Sequence, residues 1–173
     1  ADGSELRARF APHGEFLCSY VGTIGMGCGL AVVLRAAEKL REMGRRDVVF
    51  LLVGDGAIRE DLEREARAAG LDRVVFTGRL PKADMPRVLA ASDACLVHLA
   101  RRELFRSVMP SKIFEAAAMA KPIVLGVEGF AAEIVAKAEK ALEYYRPKQL
   151  FLNTDCGFGC FSSRSVNVEE VAY

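Results

Sequence analysis

A glycine-rich segment after the first apolar stretch is the first candidate for chemistry. It reads Gly22-Thr23-Ile24-Gly25-Met26-Gly27-Cys28-Gly29 and joins a strand-like run to a helix-like run. In that position, backbone N–H groups and the helix dipole can receive a phosphate with no side chain in the way. Glycines also simply make tight turns, so this alternative stays open. The glycine spacing differs from the dinucleotide fingerprint, and no nicotinamide or other cofactor is predicted.

The second candidate is the segment Pro110-Ser111-Lys112-Ile113-Phe114-Glu115, at the start of a predicted helix. Glu115 can accept hydrogen bonds from two ribose hydroxyls, and Lys112 and Arg106 can neutralise phosphate oxygens. The alternative is a capping arrangement, in which Ser111 caps the helix and Glu115 interacts favourably with its dipole. Local chemistry alone does not separate the two interpretations.

Histidine and cysteine give weaker signals. His98 is predicted at the end of the fourth strand, where it can meet a phosphate or a sugar hydroxyl, or serve as a structural residue. The cysteines are odd in number and lack the spacing of a disulfide framework, which favours a reducing cytoplasm. They are Cys18, Cys28, Cys95, Cys156 and Cys160. No Ser/His/Asp arrangement or carboxylate pair indicates a catalytic group, so the catalytic residues are unknown.

Alternating strands and helices must position these residues. Strands are predicted at 15–21, 47–53, 74–77, 94–99 and 122–127, with a possible sixth at 149–152, and helices at 30–43, 58–69, 85–91, 111–120 and 131–145. Such alternation indicates βαβ units and a Rossmann-like, doubly wound α/β sandwich of three layers, with a mostly parallel sheet of five or six strands. Ligands bind beyond the carboxyl ends of such strands, so the loops there are the candidate site.

The bulk composition limits the function classes. A chain of 173 residues fits one globular domain. Its net charge of +1 provides no overall positive electrostatic field that would attract nucleic acid or an acidic membrane. No apolar run reaches the ~18 residues that span a bilayer, so membrane contact is expected only through a missing part. We expect a lead-in or linker at 1–14, one domain at 15–154 and an irregular tail at 155–173.

Five motifs, taken in order, resemble the donor-binding C-terminal domain of family 4 glycosyltransferases of the GT-B fold. They are Gly22-Thr23-Ile24-Gly25-Met26, Leu52-Val53-Gly54-Asp55-Gly56, Phe76-Thr77-Gly78-Arg79-Leu80-Pro81, Ala91-Ser92-Asp93-Ala94-Cys95-Leu96-Val97 and Pro110-Ser111-Lys112-Ile113-Phe114-Glu115-Ala116. The resemblance covers about residues 16–133. The most similar subgroup adds N-acetylaminosugars to bacterial surface polysaccharides.

This resemblance implies a role for each motif. The glycine loop, through Gly25, Met26 and Gly27, would hold the diphosphate of a nucleotide sugar. Gly78 and Leu80, in the loop after the third strand, would touch the base, and Glu115 would bind the ribose. The partner implied is a nucleoside diphosphate sugar, most simply UDP-linked.

The chain also departs from the family pattern. Thr23 and Cys28 stand where many members carry an arginine and a lysine, and Ser107 stands where the broader family has a second glutamate. Arg106 and Lys112 would then have to neutralise the phosphate charge, with Arg79 and Lys82 as further candidates. The acceptor-binding domain that family members carry on the N-terminal side is missing from these residues.

The end of the chain, about residues 138–173, resembles a different family. Gln149-Leu150-Phe151-Leu152-Asn153-Thr154-Asp155-Cys156-Gly157-Phe158-Gly159 is similar to the last barrel strand of cobalamin-independent methionine synthases, where the residue matching Cys156 binds zinc. A zinc site needs three or four ligands, and the matching partners have no counterpart here, so no metal is predicted and Cys156 is a weak candidate. Residues 136–154 could thus come from a foreign segment.

The function that these observations favour is donor binding in a retaining glycosyltransferase of bacterial surface polysaccharide synthesis, inactive without its acceptor domain. One alternative is a non-catalytic chimeric or truncated α/β domain with a vestigial site. Another is a fragment of a zinc-dependent methyltransferase. The expected location is the cytoplasm.

Overall fold

Five parallel strands form the centre of the structure, a computed structural model that describes residues 1–142, 151–152 and 166–167. The strands are β1 (Phe16–Val21), β2 (Val48–Val53), β3 (Val74–Gly78), β4 (Ala94–His98) and β5 (Ile123–Gly126), and the helices are α1 (Ser4–Phe10), α2 (Ala31–Glu42), α3 (Arg59–Ala68), α4 (Met85–Ala91), α5 (Lys112–Ala118) and α6 (Phe130–Leu142). Short 3₁₀ turns lie at Met26–Cys28, Lys82–Asp84 and Glu103–Phe105.

The strand order is β3-β2-β1-β4-β5, which confirms the predicted doubly wound sheet. The chain moves outward from β1 to β3 and then returns to place β4 on the other side of β1. The order therefore reverses between β1 and β4, and a ligand is expected beyond their carboxyl ends. In register, Cys18 lies beside Phe50 of β2 and Ala94 of β4.

Apolar residues on both faces of the sheet explain the three layers. Leu17 packs on one face with Val88 of α4, while Tyr20 packs on the other with Leu34 of α2 and Leu62 of α3. Because successive strand residues point to opposite faces, an unbroken apolar run such as Val48–Val53 is buried from both sides. Helices α5 and α6 pack on the α4 face, through Ile113 and Ala131 against Val97.

The lead-in predicted at residues 1–14 is wrong in one respect, because it contains the helix α1. Leu6 and Phe10, one helical turn apart, pack against the cluster around Leu17. Arg7 then donates hydrogen bonds to the carbonyl of Glu15, at 2.8 Å, and to the carboxylate of Asp93. Apolar contact and an ion pair thus fix a segment that was predicted only as a lead-in or linker.

The possible sixth strand does not extend the parallel sheet. Phe151–Leu152 forms β6, which pairs in antiparallel fashion with β7 (Val166–Asn167) in a separate two-stranded sheet. Among the residues described, the main sheet therefore has five strands. Within the described ranges, no helix combines the length and the apolar character that crossing a bilayer requires.

Candidate functional site

Two clefts open in the loops that follow the carboxyl ends of the strands. The larger, about 580 Å³, is named here the Lys112 cleft and is lined by Val21, Gly22, Thr23, Val53, Gly54, Asp55, Arg79, Leu80, Pro81, Lys82, Met85, Ser111, Lys112 and Glu115. The smaller, about 220 Å³, is named the arginine cleft and is lined by His98, Leu99, Ala100, Arg101, Arg102, Phe105, Arg106, Leu125, Gly126, Val127 and Glu128. The two clefts share no lining residue.

Backbone contacts between the loops after β1 and β2 form the floor of the Lys112 cleft. The N–H of Gly22 donates to the carbonyl of Val53 at 2.8 Å, and that of Ile24 donates to the carbonyl of Asp55 at 2.9 Å. A Cβ on Gly54 would lie 1.9 Å from the Gly22 carbonyl oxygen, so only glycine fits there. The two loops therefore form one rigid surface.

Lys112 of α5 crosses this surface at Gly22. Gly22 has a φ of +141°, and a Cβ on it would lie 2.5 Å from Lys112 Cε and 2.6 Å from Nζ. The Lys112 ammonium also lies 5.2 Å from the centroid of the Tyr20 ring, within range of a cation–π interaction. Among the described residues Lys112 has no carboxylate partner, so its charge is available to an anion in the cleft.

Tyr20 supports both the lysine and the glycine loop from beneath. Its hydroxyl, almost fully buried, donates to the carbonyl of Thr23 at 2.7 Å, and the Cys28 thiol donates to the same carbonyl at 3.1 Å. Burial and, after it, the hydrogen bond with Cys28 raise the pKa of Tyr20 well above its usual range. The phenol therefore stays neutral and keeps its donor role.

Glu115 faces the Lys112 cleft from the same helix. It lies three residues after Lys112, the spacing that places two side chains on one side of a helix. Ser111 makes no side-chain capping hydrogen bond, and its own backbone is already helical, with φ −58° and ψ −25°. Its hydroxyl instead lies 3.5 Å from the Glu115 carboxylate. Ser111 thus occupies the N-cap position without a side-chain cap, and Glu115 lies in the first turn, where the helix dipole favours a carboxylate. The exposed Glu115 carboxylate remains open to a ligand.

The opposite wall comes from the loops after β2 and β3. It brings Arg79, Leu80 and Lys82 into the cleft, whereas Gly78 lies at the strand end and outside the lining. The N–H of Gly56 and then the Arg59 guanidinium hold the pKa of Asp55 below its usual range, so this carboxylate is ionised. Arg79, Lys82 and Lys112 thus outnumber the carboxylates Asp55 and Glu115, and the cleft has a net positive charge.

Gly25, Met26 and Gly27 do not line the Lys112 cleft. They lead into a 3₁₀ turn in which the Met26 side chain is 71% exposed. The carbonyl of Gly27 accepts a hydrogen bond from Ala100 at 2.8 Å, and a Cβ on Gly27 would meet the Phe105 ring at 2.9 Å. The part of the glycine loop that faces the cleft is Gly22 and Thr23, which sequence reasoning did not single out.

Arg106 lies apart from Lys112 and Glu115, in the arginine cleft. His98 is its neighbour there, with Nδ1 2.7 Å from the Cys28 carbonyl, an arrangement in which Nδ1–H donates. A Cβ on Gly126 would come within 2.3 Å of the His98 ring. His98 therefore holds the glycine loop in place through Cys28, which is the structural role given above as the alternative for this residue.

Neither cysteines nor metal ligands define a further site in the part of the chain that the structure describes. Cys18, Cys28 and Cys95 are free thiols, and burial raises the pKa of Cys18 to about 11. Within the same residues, no three His, Cys, Asp or Glu side chains are placed to hold a metal ion. Cys156, the weak zinc candidate, lies outside the described residues.

The family of the chain follows from its match to a sequence model. The model of glycosyl transferases group 1 matches residues 15–150. The chain belongs to this family. Residues 138–150 of this glycosyltransferase chain, predicted above to be part of a foreign tail, lie inside the match. The segment 149–159, which resembles methionine synthases, lies outside the described residues except for β6.

Two bacterial relatives illustrate the family. A 2-deoxystreptamine glucosyltransferase of Streptomyces kanamyceticus is 36% identical over 116 residues, 65% of this chain and 30% of that protein. The putative colanic acid biosynthesis glycosyl transferase WcaI of Escherichia coli is 30% identical over 131 residues, 75% of this chain and 31% of that protein. The glycosyltransferase chain thus spans about a third of the length of these relatives.

Solved structures share the fold. Anabaena Alr3699/HepE in complex with UDP and glucose has a TM-score of 0.62 at 24% identity, over 76% of this chain and 35% of that one. The C-terminal domain of a glycosyl transferase group 1 family protein (LpcC) from Francisella tularensis has a TM-score of 0.54 at 16% identity, over 83% of each chain. The glycosyltransferase chain therefore has the fold of a single domain of such enzymes.

Proposed function

We propose that this chain is the donor-binding half of a retaining glycosyltransferase, and that the Lys112 cleft binds a nucleoside diphosphate sugar. The single observation that carries the proposal is the position of Lys112 across Gly22, with Glu115 three residues further along in the same cleft. One cation and one carboxylate, set side by side at the carboxyl edge of a doubly wound sheet, match the diphosphate and the ribose of a nucleotide.

The diphosphate is assigned to Lys112. Its ammonium has no carboxylate partner among the described residues, and the Gly22 backbone beneath it carries no side chain that would keep a phosphate away. When the sugar is transferred, the departing diphosphate gains negative charge, and a fixed cation stabilises that charge in the transition state. Arg79 and Lys82, on the opposite wall, supply further positive charge.

The nucleoside is assigned to Glu115 and the wall opposite it. The Glu115 carboxylate accepts hydrogen bonds from the ribose hydroxyls, and Leu80 offers an apolar surface to the base. A cleft of about 580 Å³ lies within the ~300–1,000 Å³ of ordinary ligand sites. UDP is the nucleotide proposed, supported by the likeness in fold to a protein solved with UDP and glucose.

Gly25, Met26, Gly27 and Gly78, which the family resemblance also implies for donor binding, and Arg106, suggested by its charge, remain proposals. None of them lines the Lys112 cleft, so a direct contact with the nucleotide requires that the ligand extend beyond it. Gly78 acts on the cleft indirectly, because its carbonyl accepts a hydrogen bond from Gly54 at 2.9 Å.

The acceptor and the other half of the active site belong to a second domain in this proposal. The chain covers about a third of its relatives, and its fold is similar over 83% of its length to a domain described as C-terminal. We therefore expect donor binding without measurable sugar transfer. The proposed reaction is transfer of a hexosamine to a lipid-linked or polysaccharide acceptor of the bacterial surface, in the cytoplasm. The polysaccharide acceptor is supported by the relative WcaI, described as a putative colanic acid biosynthesis glycosyl transferase.

Calorimetric titration of the full chain with UDP tests this proposal, with uridine titrated in parallel. Saturable 1:1 binding of UDP, and much weaker binding of uridine, is the expected result. No heat from UDP across the millimolar range, in a chain that is folded by circular dichroism, would favour instead the chimeric or truncated domain with a vestigial site. Nothing in the described residues favours the zinc methyltransferase alternative.

A further inference from the structure

We propose that the arginine cleft is a second anion site, which binds a phosphate group separate from the donor diphosphate through Arg102, Arg106 and His98. The cleft shares no lining residue with the Lys112 cleft. It lies between the loops after β4 and β5, on the far side of β4 from β1 and β2. A ligand bound there would be distinct from the nucleotide.

The charge of the cleft favours an anion. Three arginines line it against one carboxylate, Glu128, which is already paired with Arg101 at 2.9 Å. Arg106 pairs with Glu103 through Nη1, which lies 3.5 and 3.3 Å from the two carboxylate oxygens, and Arg102 has no carboxylate partner among the residues described. Arg102 is therefore available, and Arg106 still offers its Nε and Nη2 donors, which have no partner among the described residues. The planar array of guanidinium N–H donors suits phosphate oxygens.

His98 adds a group that the fold holds in one orientation. Its Nδ1 is occupied by the Cys28 carbonyl at 2.7 Å, and its ring lies between Gly29 and Gly126, whose hypothetical Cβ atoms would approach it to 3.0 and 2.3 Å. Only Nε2 remains for a ligand. It can accept a hydrogen bond from a phosphate hydroxyl, or donate one to a phosphate oxygen when the ring is protonated.

The size of the cleft limits the ligand to a small group. At about 220 Å³ it is below the ~300 Å³ at which sites for drug-sized ligands begin. Its walls are fixed by backbone hydrogen bonds, from Leu99 to Gly126 at 3.1 Å and from Phe130 to Arg106 at 2.8 Å. A phosphate group, free or esterified, fits these requirements better than a second nucleotide.

The chain contains its own internal control for a test, because it has two histidines, His13 and His98. The full chain, labelled with nitrogen-15 at histidine, is titrated with inorganic phosphate at constant ionic strength while the ring nitrogens of both residues are followed by NMR. We expect the Nε2 signal of His98 to shift in a saturable way, with a dissociation constant on the order of 1 mM or tighter. The ring signals of His13 should not move. An unmoved His98, or equal shifts at both histidines, would overturn the proposal.

Two variants test whether the cleft arginines bind the phosphate. Arg102→Gln and Arg106→Gln should each weaken phosphate binding about tenfold or more, because each removes a charged donor. Arg46→Gln, at an exposed arginine on the amino edge of the sheet, should leave phosphate binding unchanged. Equal affinities in all three variants would contradict the assignment of the phosphate to this cleft.

Two further ligands define what the site accepts. Glycerol 3-phosphate, compared with inorganic phosphate, shows whether the site prefers an esterified or a free group. The site should still bind phosphate in the presence of excess UDP, and displacement by UDP would show that it is part of the donor site. The phosphate titration is made without nucleotide, so its result tests the arginine cleft independently of whether UDP binds to the Lys112 cleft.

Discussion

Lys112 lies so close above Gly22 that a single added carbon would collide with it: a Cβ at residue 22 would be 2.6 Å from the lysine nitrogen. The two residues are 90 positions apart in the sequence: Gly22 directly follows β1, and Lys112 is the first residue of α5. This contact aligns a cation with the backbone of the glycine loop. It also makes the donor site sensitive to changes at either residue.

The first prediction concerns the charge of Lys112. Replacing Lys112 with Ala should weaken UDP binding by about 1.5–3 kcal/mol, because a charge-assisted bond to phosphate is lost, and leave uridine binding nearly unchanged. Calorimetry with both ligands measures this. Lys39→Ala is the matched control, because Lys39 is exposed at the end of α2 and pairs with Glu42. An equal loss for UDP and uridine would show that Lys112 supports the fold and does not contact phosphate.

The second prediction concerns Gly22 itself. Gly22→Ala should lower the free energy of unfolding by about 1 kcal/mol or more, because a φ of +141° is strained for any residue with a Cβ. The end of the Lys112 side chain would also have to move aside. Gly25→Ala is the control, because its backbone is extended, with φ −109°. A Cβ there would have, within the described part of the chain, one non-adjacent atom within 4 Å, the Thr23 methyl at 3.8 Å. Urea denaturation of both variants checks the difference. Equal stabilities of the two variants would contradict this account of the loop.

The third prediction concerns the ribose. Glu115→Gln replaces a charged acceptor by a neutral one and should weaken UDP binding by about 1–2 kcal/mol. The wild-type chain should also discriminate against 2′-deoxy-UDP, and the variant should lose much of that discrimination. Titrations of both proteins with both nucleotides form a complete cycle. If the two changes are simply additive, Glu115 does not contact the 2′-hydroxyl.

The fourth prediction concerns acid stability. The N–H groups of Glu15 itself and of His13, together with Arg73, hold the pKa of the buried Glu15 carboxyl below its ordinary value of 4.5. Since the folded state binds this proton less readily than the unfolded state, the stabilisation is complete above pH 4.5 and is lost as the pH falls through the lower folded value.

Urea denaturation near neutral pH and again below pH 4.5 tests this linkage. Glu15→Gln should be less stable than the wild-type chain at neutral pH and should lose less stability on acidification. Glu42→Gln, at an exposed position on α2, should follow the wild-type chain. The same acid dependence in the Glu15 variant would assign the loss of stability to other carboxyl groups.

Local sequence patterns sufficed for the five strands of the main sheet and the helices between them, but not for α1 or the loops. The apolar run Val48–Val53 could be assigned to a buried strand because its environment on both faces follows from its own composition. Lys112 and Glu115 could be placed together because they are neighbours on one helix. The direction of Gly25–Gly27, in contrast, depends on a hydrogen bond from Ala100 and on the Phe105 ring. Contacts over such distances leave no periodic signal in the sequence.

Arg106 and α1 illustrate the same limit. The position of Arg106 after β4 predicts a place near the phosphate of the donor, but the loop turns towards β5, where the Arg106 carbonyl accepts a hydrogen bond from Phe130. For α1, Leu6 and Phe10 do offer a helical spacing, but it is too short to stand out among charged residues. The stability of α1 comes from contacts with residues such as Asp93, far away in the sequence.

Gly54 has a consequence for how the sequence of this domain can diverge. A Cβ there would be 1.9 Å from the Gly22 oxygen, so neither movement of a side chain nor a change of rotamer relieves the clash. The two glycines, 32 positions apart, act as one inherited unit: natural variants of this domain should keep both or replace both together with a reshaped loop. A chain with glycine at only one of the two strand ends should have a different arrangement of these loops, however similar the rest of its sequence.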